Sequence, residues 1–386
     1  MAYLIGVGLA LFPINNLYQP GIERIDGQIH ATFFLPVFGL MLVIVASLQV
    51  IKFPLDMGSK KIYIPLFVIV ASMMGQFVIS PSKETLAVGL LGVCFFAVYL
   101  AGRTLKLDII KALTPFIIIG AISVIVYGLR YPGVRTAGWI SSSNQNGGNY
   151  DIATGYLVFG MAFITGLKFK YKWLVFTIVT LALCFTGADE ALIAMFVLGM
   201  TMLIRKDYNR KVLIICVLSL VVGIGGMYFL GGGAFKSTVS KIAYLLHPDS
   251  EYVIQGQVDR YDGFWDYVFN NRFDVIIAAL KDIKPLGHGF ELTKFTFWTV
   301  HNVPLIIVDQ IGIAAAVAWT WVVAYCLKNT TWKYTWIAVI VLSSYDHYIW
   351  DQLSLWWWVL VGISTVVPVN DMVYKKEKCA IMENNG

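Results

Sequence analysis

The feature that most constrains this chain is a series of apolar runs separated by short polar segments. Most of these runs approach the roughly 20 apolar residues that a helix needs to cross the hydrocarbon layer of a bilayer. In lipid, backbone polar groups must be paired within their own segment, so runs of this length can span only as helices. The composition agrees, because 58% of the 386 residues are hydrophobic and 13% are charged. We therefore predict an all-α, polytopic membrane protein and exclude a soluble enzyme, a disordered chain and a disulfide-rich secreted domain.

The runs predict about twelve transmembrane helices. The N-terminus has no basic segment and no small-residue cleavage site, so its first run is interpreted as a retained helix rather than a signal peptide. The seventh and eighth runs are short, and together they also fit one broken hairpin. The predicted spans are 2–17, 33–51, 62–80, 85–101, 109–129, 152–167, 172–187, 190–204, 212–230, 302–327, 334–350 and 353–370.

The basic residues predict the orientation of these spans. With the N-terminus in the cytoplasm, most of the 29 basic residues fall in short inner loops, as the positive-inside rule requires. An even number of spans then places both termini inside. The net charge of +6 is divided among these loops rather than gathered in one patch, so it does not indicate nucleic-acid binding.

Two outer segments stand apart from the short connectors. The loop 130–151 is rich in side-chain amides and hydroxyls, and residues 273–283 have an apolar face at helical spacing on a segment too polar to span. Such a segment is typical of a helix that lies at the membrane interface. The predicted organisation is helices 1–9 in 1–230, an extracytoplasmic loop with interfacial helices in 231–301, helices 10–12 in 302–373, and a cytoplasmic tail in 374–386.

His301 and Asn302 stand where the large outer loop enters the tenth predicted span. Free imidazole titrates near neutral pH, so His301 is a candidate general base, although a His-Asn pair can also simply anchor a helix end. Asp346, His347 and Asp351 could touch a metal, but no second histidine cluster accompanies them and no metal site is predicted. The aromatic residues from Tyr345 to Trp358, including Trp356, Trp357 and Trp358, are interpreted first as an interface belt and second as a lipid-tail groove.

A series of short motifs occurs in a particular order along residues 130–362. No single motif is specific, and the information lies in their succession. The series consists of Arg135 with Gly138 and Asn144, then Arg260 with Trp265, then Pro285-Leu-Gly-His-Gly289, then His301-Asn302 with Leu305, then Gly312 eleven residues after His301, and finally Asp346-His347-Tyr348.

This succession resembles the O-antigen ligase and O-antigen polymerase family of bacterial membrane glycosyltransferases. Three positions depart from the family pattern. The Asn-Pro-Asn of the family is Asn144-Gln145-Asn146, the acidic residue common nine positions after the histidine is Gln310, and a Ser-Arg expected near the eighth span is Ala188-Asp189. The cation lost at the last of these positions could be replaced by one of three residues, Arg130, Arg272 or Lys294.

The resemblance implies inverting transfer of a glycan from a polyprenyl-diphosphate carrier to a saccharide or lipid-linked acceptor, at the outer face of the bacterial inner membrane. It implies no metal and no other cofactor. His301 would accept the proton of the attacking hydroxyl, and Arg135 and Arg260 would stabilise the diphosphate leaving group through charge-assisted hydrogen bonds. The candidate substrate-binding residues are Asn144, Asn146, Asn302, Arg272 and Trp265.

The alternative function is a transporter or flippase of a lipid-linked or small anionic substrate. Asp309, about two turns into its predicted span, would then be the coupling carboxylate. The polar and titratable residues otherwise gather at outer helix ends rather than at the bilayer midplane, which favours surface chemistry over translocation. The chain has no P-loop, so an ATP-driven pump is not predicted. Polymerase and ligase remain equally compatible with the sequence.

Overall fold

A computed structural model describes residues 1–14, 34–131, 136–140, 150–167, 170–205, 214, 217, 272–289 and 301–366. All regular secondary structure in these residues is helical, which confirms the all-α part of the predicted fold class. The helices are α1 Ala2–Leu11, followed by a 3-10 turn Phe12–Ile14, α2 Phe34–Val50, α3 Lys60–Ile79, α4 Lys83–Leu105, α5 Leu107–Arg130, α6 Tyr150–Thr165, α7 Lys172–Thr186, α8 Asp189–Arg205, α9 Arg272–Lys281, α10 Val303–Ile311, α11 Ile313–Asn329, α12 Lys333–Tyr345 and α13 Ser354–Ser364.

Three helices of the described chain are long and apolar enough to cross a membrane: Lys60–Ile79, Thr85–Leu105 and Leu107–Arg130. Several others are apolar but shorter, such as the 15 residues of α7. At 1.5 Å per residue, a helix of that length covers about 22 Å, less than the roughly 30 Å of hydrocarbon. The count of twelve spans therefore stays a prediction, and the predicted span 212–230 lies, apart from 214 and 217, outside the described residues.

The last three predicted spans differ from the observed helices. The run 302–327 is not one helix, because Gly312 has φ +91° and separates α10 from α11. The runs 334–350 and 353–370 are too long, since α12 ends at Tyr345 and α13 ends at Ser364. At the end of α12, Asp346 leaves the helical conformation with φ −151°, and its carboxylate accepts a hydrogen bond from the backbone N–H of His347. Hydropathy alone does not register the break at Gly312, because the apolar run continues directly after it from Ile313 to Val317.

Helix α13 lies in the centre of the bundle and packs most extensively on α4. All of its residues are buried, as expected for a helix that is apolar on every side. Trp356, Trp357 and Trp358 are at most 1% exposed, so the interpretation of these three residues as an interface belt is wrong. The Trp356 indole N–H donates to the carbonyl of Leu9 in α1 at 2.8 Å, which satisfies the one polar atom that this side chain brings into the core.

The α4–α13 contact depends on two glycines. A methyl group on Gly102 would lie 2.7 Å from the carbonyl oxygen of Val359, and one on Gly362 would collide with the carbonyl oxygen of Tyr99. Small residues let two helix backbones approach closely, which is a common way to pack helices within membranes.

The polar contacts of the helix ends fall into two groups. At one end of the bundle, the buried Arg103 of α4 binds both carboxylate oxygens of Asp56 at 2.8 Å and the hydroxyl of Thr365 at 2.6 Å. At the far end of α3, the Gln76 amide donates to the carbonyl of Leu286, which precedes α10 in the chain. Asp56 and Arg103 belong to loops predicted to face the cytoplasm, and Thr365 lies in the cytoplasmic half of the predicted span 353–370. Leu286 belongs to the predicted outer loop, and Gln76 lies near the outer end of the predicted span 62–80.

Candidate functional site

His301 is positioned by the cap of α10. Asn302 is the N-cap residue, and its side-chain oxygen accepts a hydrogen bond from the backbone N–H of Leu305 at 3.1 Å. This arrangement satisfies an N–H that would otherwise lack a partner at the helix start. His301 precedes the cap and remains partly exposed, with 26% of its side chain accessible. The Asn302 contact is therefore a structural one, and the cap fixes the backbone beside His301.

Asp346 and His347 come to His301 from the turn that follows α12. The Nδ1 atom of His301 lies 3.4 Å from Oδ1 of Asp346, and the Nδ1 atom of His347 lies 3.0 Å from the same oxygen. The Nε2 atom of His347 lies 3.5 Å from Oδ2 of Asp351. Asp346 and His347 are both buried, at 6% and 5% exposed. The partly exposed imidazole of His301 and the buried imidazole of His347 thus both contact the buried carboxylate of Asp346.

The charges of this turn support one another. Burial raises the pKa of Asp346, but hydrogen bonds from His301 and His347 outweigh this effect, and the pKa lies below its ordinary value. Burial lowers the pKa of His347, but its hydrogen bond to Asp346 and the negative charges of Asp351, Asp346 and Asp151 outweigh burial, and the pKa is raised. Asp346 is accordingly an anion at neutral pH, and the anion is held where His301 can donate to it.

A second histidine–aspartate pair lies at the other end of α10, just before the break at Gly312. The Nδ1 atom of His288 lies 3.0 Å from Oδ1 of the buried Asp309, and its Nε2 atom lies 3.4 Å from Oδ2 of Asp282. Two backbone bonds dock the His288 turn on α10, since the N–H of His288 donates to the carbonyl of Asp309 and that of Gly289 donates to the carbonyl of Gln310.

The same turn also serves the break itself. The backbone N–H of Ile313, just after Gly312, donates to the carbonyl of Pro285 at 3.0 Å. An interrupted helix leaves N–H and carbonyl groups without intrahelical partners, and the turn 285–289 supplies partners to several of them. The turn 285–289 and the broken helix thus satisfy each other's backbone hydrogen bonds.

A chain of contacts joins the two pairs. The side-chain oxygen of Gln310, next to Asp309, accepts a hydrogen bond from the Trp350 indole at 2.8 Å. The backbone N–H of Trp350 in turn donates to the carbonyl of His347 at 2.8 Å. In the sequence, Gln310 stands out only as a departure from the acidic residue common in the family. In the structure it ties α10 to the turn that carries Asp346.

Asp346 also lines a small cavity next to the turn that follows α12. The cavity is bounded by the first turns of α6 and α8 and by the last turn of α12. Its polar lining residues are Asp151, Thr154, Glu190, Asp346 and Tyr348.

The predicted site residues are only partly within the described chain. His301 and Asn302 are described, and both lie at the N-terminal end of α10. Arg272 is the first residue of α9, and its side chain is outside the described part. The helix predicted within 273–283 is confirmed by α9. The predicted residues that lie outside the described residues are Arg135, Arg260, Asn144, Asn146 and Trp265.

Asp346 is a functional candidate that the sequence analysis did not connect with His301. Its segment is one of the motifs, but the 45 residues that separate it from His301 give no sign that the two would meet. The sequence argued against a metal at Asp346 and His347, because no second histidine cluster accompanies them. In the structure, His301 is the second histidine.

No protein-family model matches the chain, and no curated protein matches it. The family resemblance rests on the order of the motifs and stays a prediction.

Proposed function

We propose that this protein is an inverting, metal-independent membrane glycosyltransferase that uses a polyprenyl-diphosphate-linked glycan at the outer face of a bacterial inner membrane. The observation that carries the proposal is the pairing of His301 with Asp346 at the outer ends of α10 and α12. Polymerase and ligase activity would use the same donor chemistry and differ in the acceptor.

The pair fits general-base catalysis. A carboxylate that accepts a hydrogen bond from Nδ1 of an imidazole fixes the tautomer in which Nε2 carries the lone pair. In the proposed reaction, an acceptor hydroxyl attacks the anomeric carbon, its proton passes to Nε2 of His301, and the bond from the anomeric carbon to the diphosphate oxygen breaks. The 3.4 Å separation of Nδ1 and Oδ1 is long for a charge-assisted hydrogen bond, and such contacts commonly tighten when substrate binds.

The leaving group requires positive charge, because the departing diphosphate gains a negative charge as the bond breaks. We assign this role to Arg135 and Arg260, whose planar guanidinium groups can bind phosphate oxygens in a bidentate manner. Both belong to the outer segments in the predicted topology, as does His301.

The proposal includes twelve spans with both termini in the cytoplasm. The contacts of the helix ends agree with the predicted grouping of segments on each side, because Arg103, Asp56 and Thr365 meet at the end predicted to be inside. Gln76 and Leu286 meet at the end predicted to be outside. A topology that placed Arg103 and Asp56, or Gln76 and Leu286, on opposite sides of the membrane would separate these partners.

The test is a turnover assay on the purified full-length protein in lipid discs, with polyprenyl-diphosphate-linked glycan as donor and either a second lipid-linked glycan or a lipid core saccharide as acceptor. We expect His301→Ala, Arg135→Ala and Arg260→Ala each to lower turnover at least about tenfold, because general-base and charge-stabilising groups commonly contribute about 10²-fold or more. Activity should persist in EDTA.

The matched control is Lys111→Ala. Lys111 is exposed and pairs with Asp108 three residues earlier in α5. It lies at the end of α5 opposite the predicted outer segment 130–151, so its removal should leave turnover unchanged. Full activity of His301→Ala would exclude His301 as the base. A strict requirement for a divalent ion would exclude the metal-independent mechanism.

Transport is the second candidate, and the break at Gly312 with the buried Asp309 is the observation that favours it. Discontinuous helices and intramembrane carboxylates are typical of secondary transporters. If the protein is a transporter, adding its lipid-linked or small anionic substrate should drive proton uptake into proteoliposomes. The Asp309→Asn substitution should abolish this uptake. Glycan transfer without such uptake would rule out this candidate.

A further inference from the structure

We propose that His301, Asp346 and His347 form a binding site for a zinc ion, and that zinc bound there inhibits the transferase by occupying its base. The inhibitory part of this inference rests on the proposed function, whereas zinc binding itself does not. The three residues offer one ligand atom each, and these atoms lie within 4.8 Å of one another.

The separations match what a tetrahedral zinc site requires. Zinc binds histidine nitrogen and carboxylate oxygen at about 2.0–2.2 Å, so neighbouring ligand atoms in a tetrahedron are about 3.4 Å apart. In this turn, Asp346 Oδ1 lies 3.4 Å from His301 Nδ1 and 3.0 Å from His347 Nδ1. The two imidazole rings have centroids 5.4 Å apart. Small side-chain rotations would therefore bring all three atoms onto one ion.

The donor set favours zinc over the hard cations. Two imidazoles and one carboxylate are typical of zinc and related transition metals, whereas calcium and magnesium prefer oxygen ligands. Three protein ligands leave one position of the tetrahedron for water or another small ligand. Access is available through His301, since its side chain is 26% exposed.

The groups around the three residues also have the arrangement found behind metal ligands. Metal-binding histidines usually donate their other ring N–H to a carboxylate, which fixes the ring. His347 directs Nδ1 toward Asp346, and its Nε2 lies 3.5 Å from Oδ2 of Asp351. Asp346 is oriented in turn by the backbone N–H of His347 at 2.7 Å. The site is therefore held in position from two directions.

Zinc at this site would remove the base. In the His301–Asp346 pair, the proton is on Nδ1 and the lone pair of Nε2 can accept the proton of a hydroxyl. When Nδ1 donates its lone pair to zinc, the ring proton must be on Nε2, and no lone pair is left there for the acceptor's proton. The ion would also neutralise Asp346, which otherwise orients the ring.

The experiment measures zinc binding to the full-length protein, purified without a histidine tag, by competition with a fluorescent zinc chelator in lipid discs. We expect one zinc ion per chain at this site. The substitutions His301→Gln, His347→Gln and Asp346→Asn should each weaken binding about tenfold or more, and Asp351→Asn should weaken it about 10–100-fold as an outer partner of His347. Cobalt in place of zinc should give the visible absorption of a tetrahedral site, which the three ligand substitutions remove.

His288→Gln is the matched control. His288 also lies between two carboxylates, those of Asp282 and Asp309, but it belongs to the other pair, so binding should not change. Equal zinc binding by the wild type and all three ligand variants would overturn the site. The absence of binding at micromolar zinc would also overturn it, provided that the wild type and the variants melt at the same temperature.

Turnover measured with zinc and then with EDTA separates the two proposals. Inhibition by zinc that EDTA reverses supports both. Zinc binding at the three residues without any glycan transfer would overturn the proposed function and leave the metal site standing. Transfer that zinc stimulates, or that continues undiminished with zinc bound, would overturn the inhibitory role.

Discussion

At the scale of single residues, Asp346 is the group on which the candidate site depends. One of its oxygens faces the Nδ1 atoms of two histidines and accepts a backbone hydrogen bond. We expect Asp346→Asn to lower turnover by about 10²–10⁴-fold, because an amide no longer fixes the tautomer or stabilises the imidazolium of His301. Steady-state glycan transfer by purified protein measures this loss.

Asp108→Asn is the control for this substitution, since Asp108 is 65% exposed in its side chain and pairs with Lys111 on the surface of α5. It should transfer glycan at the wild-type rate. If the Asp346→Asn protein melts normally and keeps its turnover, the Asp346 carboxylate has no role in the reaction and does not orient His301.

The ion pair of Asp56 and Arg103 predicts a dependence of stability on pH. The hydrogen bond from Arg103 lowers the pKa of Asp56 below its ordinary value of 3.8, against a smaller opposing effect of burial. A carboxyl whose pKa is lower in the folded state stabilises the fold above the unfolded pKa, and this contribution is lost as the pH falls through the folded pKa.

Thermal unfolding of the wild type and Asp56→Asn in detergent tests this expectation. The wild type should melt higher by a constant margin from about pH 7 to pH 5, and the margin should shrink as the pH falls below about 4. Asp108→Asn should show little margin at any pH, because its partner Lys111 is exposed to solvent, whereas Arg103, the partner of Asp56, is buried. A margin for Asp56→Asn that grows on acidification contradicts a lowered pKa of this carboxyl in the folded state.

At the scale of elements, the contact of α4 with α13 sets how closely the central helix approaches its neighbour. A side chain at Gly362 meets the carbonyl of Tyr99 and the backbone N–H of Arg103. Both obstacles are backbone atoms, so one helix must move. We expect Gly362→Ala to destabilise the protein by about 1–3 kcal/mol, as overpacking of cores commonly does.

Gly199 in α8 provides the comparison, because a methyl group there would meet nothing within 4 Å. Gly199→Ala should leave the melting temperature unchanged or raise it, since alanine favours helix over glycine. Equal melting temperatures for the two variants would show that the close approach is not required.

The break between α10 and α11 gives a second prediction at this scale. Gly312 has φ +91°, and a methyl group on it would collide with the carbonyl of Pro285. Gly312→Ala should therefore both strain the backbone and displace the turn that carries His288. We expect a lower melting temperature and a reduced rate of glycan transfer, because the turn is tied through Gln310 and Trp350 to the segment of Asp346.

Gly75→Ala in α3 is the control for the break, as that glycine also has open space around it. If Gly312→Ala and Gly75→Ala had the same melting temperature and the same rate of glycan transfer, the turn 285–289 would have no influence on the site at Asp346.

At the scale of the whole molecule, the predicted topology can be tested by cysteine labelling. Leu286 is 65% exposed at the end predicted to face outward, and Leu55 is 38% exposed at the end predicted to face the cytoplasm. A membrane-impermeant maleimide added to intact cells should label Leu286→Cys and should not label Leu55→Cys, above the background of the five native cysteines. Labelling of both, or of Leu55→Cys alone, contradicts the proposed orientation.

The sequence predicted the elements well where the signal was local. Apolar runs of sufficient length indicated the helices α3, α4 and α5, and the periodicity of residues 273–283 indicated α9. It failed where a long-range contact decided the outcome. The tryptophans at 356–358 have the composition of an interface belt, yet they lie in the core because other helices surround α13 on every side.

The sequence by itself determined that this chain is helical and suited to a membrane, because hydrophobicity and run length are properties of each segment alone. It also placed a histidine at the entrance of α10. Only the tertiary structure decided that His301 meets Asp346 and His347, which follow it in the chain after the three helices α10, α11 and α12. It also decided that the turn at His288 binds the backbone groups left free by the break at Gly312. These are contacts between segments distant in the chain, and no local pattern of residues encodes which distant segment will be the partner.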